Sequence, residues 1–321
     1  LRHFGNMLGG GKAENVWPVV RVAGKDWERL GPGKADLLPD GRRQAVWALD
    51  VPASHVDVAA CYPYGMPEVN VLVRDCGGFW RADTIGMSQN ARPIVRLSNG
   101  PGETGSEKPG LYVVARQHSG ETPGSWVLDG FLRHIATLGQ SAPLVWAVPL
   151  TNIDGVEQGD YGKDNFPYDM NRAWGSPAMR HETLVFQADM NRWRQRCRPV
   201  LAIDFHAPGL CEADGTYVFL PSPRLYQGQN ETARKWAERI GEVLTPEYAA
   251  NPFGRVATYA SRWETPTFTG YAGRLGICGF GVETPYGAAG GKVLTREDYR
   301  QIGCRMAKGV IAQIACAACK S

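Results

Sequence analysis

Leu111-Tyr-Val-Val-Ala-Arg-Gln-His118-Ser-Gly-Glu121-Thr-Pro-Gly124 is the stretch that decides the fold of this 321-residue chain. Its unbroken apolar start predicts a strand buried on both faces. The strand delivers a histidine and a glutamate, three residues apart, onto a loop. An amphipathic helix then follows over about 123–138, with Trp126, Leu128, Phe131, Leu132 and Ile135 as its apolar stripe. An imidazole and a carboxylate on a rigid strand end can share one divalent metal. A second apolar strand, Val200-Leu-Ala-Ile-Asp-Phe-His206, also ends in a histidine. His118, Glu121 and His206 together make a three-ligand set whose fourth position is open to water. That is the pattern of a catalytic zinc site rather than a structural one.

Outward from this stretch, strands and helices alternate. Leu144-Val-Trp-Ala-Val-Pro149 reads as another buried strand, and a polar loop runs to about residue 176. Helices are expected over about 178–197, 230–244 and 296–315, with strands at 200–205 and 276–282. The order implies an α/β fold: a mostly parallel or mixed central sheet flanked by helices, with functional residues at the carboxyl ends of its strands. His118, Glu121, His206 and Glu283 all fall at such ends. The first part of the chain differs. Gln44–Leu49, Val69–Arg74 and Pro93–Leu97 read as short strands, and no ten-residue helical pattern interrupts them. A small, β-sandwich-like domain is expected over 1–105, and the Gly- and Pro-rich segment 99–110 marks its junction with a catalytic domain over 106–321.

Composition narrows the function. Hydrophobic residues make up 43% and charged residues 21%, and the formal net charge of +3 comes from scattered Lys and Arg. Nucleic acid is not an expected partner. With no long apolar run, neither is a membrane. Eight cysteines lack the density of a disulfide scaffold, and Cys316-Ala-Ala-Cys319 has no second pair to complete a zinc site, so a reducing, cytoplasmic setting is preferred. Because the chain opens on Leu1, its natural start is expected to be missing, which leaves a signal peptide open. His3, His55 and His134 stand alone, and Arg180-His181-Glu182 reads as exposed helix surface without the spacing of a helical zinc motif.

Read in order, His118-Ser-Gly-Glu121, Asn152-Ile-Asp-Gly155, Tyr168-Asp-Met-Asn171-Arg172-Ala-Trp174, Asp204-Phe-His206 and Val282-Glu283-Thr-Pro285 resemble the zinc metallocarboxypeptidases of the carboxypeptidase A type. The likeness is closer to the cytosolic carboxypeptidase branch, in which a β-sandwich precedes the catalytic domain. The resemblance implies one zinc per chain, held by His118, Glu121 and His206. It makes Glu283 the general base that takes a proton from zinc-bound water, and Asn171 and Arg172 the grip on a substrate's terminal carboxylate. A guanidinium suits that grip because its planar fork meets a carboxylate bidentately. Asp204, on the same side of its strand as His206, is a candidate to orient a ligand. The implied substrate is the C-terminal end of a peptide or protein.

One departure stands out. Where the cytosolic branch carries an arginine that stabilises the oxyanion, this chain has Gly162, with Lys163 beside it as the candidate replacement. The family's active-site tyrosine could be Tyr259 or Tyr271. Arg255, Arg262 and Arg274 fall where the specificity pocket should be walled; one of them turned inward would favour acidic C-terminal residues, although three exposed arginines is the simpler expectation. Two other functions share these groups: a zinc deacylase of N-acyl amino acids, and a catalytically weak protein that holds C-terminal tails. Oligomeric state is not readable from the sequence.

Overall fold

The computed structural model describes residues 11–49, 55–163, 169–244, 246–256 and 266–318. The chain begins with short strands, β1 (Val19–Val22), β2 (Glu28–Arg29), β3 (Lys34–Leu37), β4 (Arg43–Val46) and β5 (Val56–Ala59). They form two small antiparallel sheets, β2-β1-β5 and β3-β4. Then come helix α1 (Met66–Asp75) and strands β6 (Arg81–Met87), β7 (Pro93–Ser98) and β8 (Pro109–Ala115). Helix α2 (Thr122–Thr137), strand β9 (Leu144–Val148), and helices α3 (Ile153–Gln158) and α4 (His181–Trp193) follow. The remainder is β10 (Arg198–His206), β11 (Thr216–Leu220), α5 (Pro223–Leu244), β12 (Ala249–Val256), α6 (Phe268–Arg274), β13 (Gly279–Glu283), the two-residue strands β14 (Ala288–Ala289) and β15 (Lys292–Val293), and α7 (Arg296–Ala318).

Eight strands form one mixed sheet in the order β12-β11-β13-β10-β8-β9-β7-β6. Its middle is parallel, as the alternation of strands and helices predicts: β13, β10, β8 and β9 run together. Side chains alternate across β8, so Leu111, Val113 and Ala115 enter one core while Tyr112 and Val114 enter the other. On the first side lie α2, α5 and α7, with Trp126, Phe131, Trp236, Ile240 and Met306. Helices α2 and α7 approach until a side chain at Gly130 would collide with the Arg300 carbonyl, and one at Gly303 with that of Val127. The second side is covered by α4 and α6, with Phe186, Met190, Phe268 and Tyr271. No described helix is long and apolar enough to cross a membrane.

Three expectations for the sequence are corrected here. Val69–Arg74 is helical, not a strand. The Glu68 carboxylate accepts from the Gly65 N–H at 2.7 Å, Pro67 sits in the first turn, and Val69 and Leu72 bury a helical i, i+3 face. Capping and burial outweigh the extended preference of a valine-rich run. Secondly, β6 and β7 precede residue 105 yet belong to the central sheet, with β7 antiparallel to β9. Thirdly, Arg180 and Glu182 are not helix surface. Both are buried as an ion pair at 3.2 Å, and Glu182 also accepts from the Gln89 N–H.

Candidate metal centre and cleft

Three neighbouring strands, β8, β10 and β13, end at one place. β10 and β13 are paired in parallel so that His206 lies directly opposite Glu283. The loop after β8 brings His118 alongside, with its ring centroid 4.8 Å from that of His206. Glu121 closes the set as the residue immediately before α2. One ligand atom from each of His118, Glu121 and His206 falls within 4.8 Å of the others, and all three residues are buried.

The ring orientations indicate which atoms face inward. His118 Nδ1 lies 2.9 Å from Glu121 Oε1, and His206 Nδ1 lies 2.7 Å from Glu121 Oε2. Each outer nitrogen meets a carboxylate: His206 Nε2 is 2.6 Å from Asp204, and His118 Nε2 is 3.1 Å from Asp169. A carboxylate behind each imidazole fixes its tautomer and makes it a better metal donor. The Asp204 pairing agrees with the expectation for that residue. Asp169 was seen only as part of a motif, because its reach to a histidine 51 positions earlier is set by tertiary structure. Gln117 was also missed: it accepts from the Trp174 indole N–H and donates to Asp204, steadying that carboxylate from behind.

The surroundings of the cluster favour positive charge at its centre. Burial alone would raise the Glu121 carboxyl, but the two imidazoles and Lys163 hold it well below the usual range. Burial opposes the imidazolium forms too, yet Asp204 and Glu121 lift His206 well above its ordinary value, and Glu121 and Asp169 lift His118. Glu283 behaves differently. Burial pushes it up to about 7 against the pull of His206 and Lys163. Its Oε2 and the Oδ1 of Asp204 are buried without a hydrogen-bond partner. Two imidazole nitrogens and a carboxylate that face one another, with a further carboxylate behind each ring, fit a divalent ion such as zinc.

The loop carrying the candidate ligands is held by Arg116, which no pattern in the sequence singles out. It adopts a left-handed backbone (φ 66°) and is buried. Its guanidinium, pushed down to about 10 by burial, donates to the carbonyls of Ser119 and Tyr64. Opposite lies the loop 160–163. Gly120 N–H donates to the Tyr161 carbonyl, and Ser119 Oγ donates to that of Asp160. Gly162 has φ +102°, and a Cβ there would lie 2.4 Å from the Ser119 nitrogen. A side chain at this position would therefore force the two loops apart. Lys163 Nζ reaches 3.2 Å from Glu121 Oε1.

A cleft of about 200 Å³ opens over these residues, lined by His118, Lys163, Arg172, His206, Thr269 and Glu283 among others. Arg172 donates to the Asn171 carbonyl at 2.8 Å. The Asn171 amide donates to Asp204 at 3.2 Å, and its oxygen accepts from the Phe268 N–H at 3.0 Å. Tyr271 is absent from the cleft: it packs on Trp174, with its hydroxyl accepting from Asn191 at 2.7 Å. Tyr259 and Arg262 lie outside the described residues. Arg255 stacks on Tyr217 and pairs with Asp214, and Arg274 donates to the Trp174 carbonyl; neither lines the cleft.

Comparison with known proteins agrees with this geometry. The sequence profile of the zinc carboxypeptidase family matches residues 68–208. That span includes His118, Glu121, Asn171, Arg172 and His206 but ends before Glu283. Mouse (Mus musculus) cytosolic carboxypeptidase 6 is 28% identical over 192 residues, covering 53% of this chain and 36% of the mouse protein. Cytosolic carboxypeptidase 2 of Xenopus tropicalis is 31% identical over 181 residues, covering 48% of this chain and 18% of its own length. The chain thus matches well under half of either relative. Among solved structures, a metallo-carboxypeptidase from Burkholderia cenocepacia superposes with a TM-score of 0.74 at 18% identity, covering 94% of this chain and 81% of the other, which is a likeness of fold. The family match over residues 68–208 and these relatives make the chain similar to the zinc carboxypeptidases, most of all to their cytosolic branch.

Proposed function

We propose that this protein is a zinc-dependent carboxypeptidase that removes the C-terminal residue of peptides or proteins. The observation that carries the reading is the convergence of His118, Glu121, His206 and Glu283 at the ends of three adjacent strands, with Arg172 on the wall of the same cleft. His118 and His206 through Nδ1, and Glu121 through its carboxylate, would hold zinc, which supplies Lewis-acid chemistry at the scissile carbonyl. Glu283 takes the proton of the attacking water and returns it to the leaving amine. A carboxyl poised near neutrality, with one oxygen unpartnered, is suited to both transfers. Arg172 grips the substrate's terminal carboxylate. Asn171, engaged with Asp204 and the Phe268 backbone, steadies that corner, so most of the grip falls to Arg172. Lys163, the other non-histidine cation among the described lining residues, adds positive charge where the oxyanion develops. The names of the relatives support a cytosolic setting.

The test is mass spectrometry of zinc-loaded protein with free peptides, their C-terminal amides and N-acyl amino acids. Stepwise loss of C-terminal residues from the free peptides alone is expected. Arg172→Ala should raise KM for these peptides roughly 10- to 100-fold, the worth of a charge-assisted hydrogen-bond pair, with a smaller change in kcat. Cleavage confined to acyl amino acids would replace this reading with a deacylase.

A further inference from the structure

We propose that Lys163 is built into the metal centre as an opposing charge, one that weakens the hold on the metal in exchange for a more positive site. The inference rests on the reading that His118, Glu121 and His206 hold a divalent ion. The Lys163 ammonium lies 3.2 Å from Glu121 Oε1, the same oxygen that faces His118 Nδ1 at 2.9 Å. The lysine thus shares one of the two Glu121 oxygens that face the histidines and are open to a metal. Glu121 is only 1% exposed, so charges beside it are weakly screened.

The placement is fixed by backbone and not by the side chain alone. Asp160 and Tyr161 accept hydrogen bonds from Ser119 and Gly120, and Gly162 packs against Ser119 too closely for any side chain. The loop before Lys163 is thereby stitched to the loop carrying His118 and Glu121. An ammonium fixed in this way repels a dication in the ligand set and, in competition with it, stabilises the Glu121 carboxylate. Both effects act in the same direction on affinity. The same positive charge favours negative charge developing on a substrate in the cleft, so the loss of affinity has a catalytic counterpart.

The experiment is zinc affinity by chelator competition on the full chain, comparing wild type with Lys163→Met, Lys163→Gln and Lys163→Arg, and with His206→Ala as control. Both neutral variants should bind zinc at least about tenfold more tightly, a size typical of coupling between two sites. Lys163→Arg, which keeps the charge, should stay close to wild type. The neutral variants should also show a larger zinc-induced rise in Tm, because the metal-free form has lost the partner of Glu121. Unchanged or weaker zinc binding in folded Lys163→Met and Lys163→Gln would overturn the proposal. His206→Ala should lose stoichiometric zinc. If it bound zinc like wild type, the ligand set itself would be wrong and this inference would fall with it.

Discussion

Glu283→Gln should lower turnover by about 10²- to 10⁴-fold while the protein still takes up zinc. The amide keeps the shape of the side chain at the end of β13 but cannot accept a proton. Nothing in the ligand set depends on it: the Nδ1 atoms of both histidines face Glu121, and their Nε2 atoms face Asp169 and Asp204. The pH dependence follows from the direction of the Glu283 shift. Burial raises its carboxyl to about 7, and a cation in the centre would lower that value. The base form dominates above the pKa, so kcat/KM should rise with pH along a limb centred at or below about 7. Stability runs the other way. A carboxyl raised in the folded state favours folding while protonated, and that contribution fades as pH rises from its ordinary value through about 7. In chelator-treated protein above pH 7, Glu283→Gln should therefore melt no lower than wild type. Near-normal turnover in the zinc-loaded mutant would remove Glu283 from the mechanism.

Gly162→Arg, which places at 162 the arginine that the resemblance to the cytosolic branch leads one to expect there, should damage the site instead of improving it. Besides the 2.4 Å approach to the Ser119 nitrogen, the new Cβ would lie 2.8 Å from Ser119 Oγ and 2.9 Å from His118 Cα. Two of these neighbours are backbone atoms that cannot swing aside. Forcing a side-chain-bearing residue to φ +102° costs about 1–3 kcal/mol on its own. The clash must be relieved by moving the loop that carries His118 and Glu121. Expected results are weaker zinc retention, a lower Tm and reduced kcat, checked by metal analysis after dialysis, thermal melts and peptide turnover. If Gly162→Arg bound zinc normally and turned over faster, the close packing of the two loops would be wrong and the glycine merely a missing catalytic group.

The candidate ligands were legible because they stand at or just after apolar runs: His206 ends its strand, and His118 and Glu121 lie on the loop that follows Ala115. A strand buried on both faces that stops at a histidine is a local pattern, and the sheet then needs only parallel pairing to bring the ends together. The helix at Val69–Arg74 was not legible in the same way, since a run rich in β-branched residues looks extended until Glu68 and Pro67 are recognised as its cap. Asp169 and Arg116 were hidden for a different reason. The Asp169 carboxylate supports a histidine 51 residues away, and the Arg116 guanidinium binds carbonyls instead of an acidic partner, so no charge pattern announces either one. The Gly162 departure was visible, but only the backbone shows that it is steric.

The interleaving of β7 and β6 with the central sheet also bears on solubility. Every residue of β9 is buried, and its outer side is satisfied by β7, through Leu97 opposite Ala147 and Ser98 opposite Trp146. A polypeptide cut at the Gly- and Pro-rich segment would leave that side as a row of unsatisfied N–H and C=O groups on an apolar strand, a template for intermolecular strand addition. Strand β7, backed by β6, thus acts as a sheath over the buried strand β9.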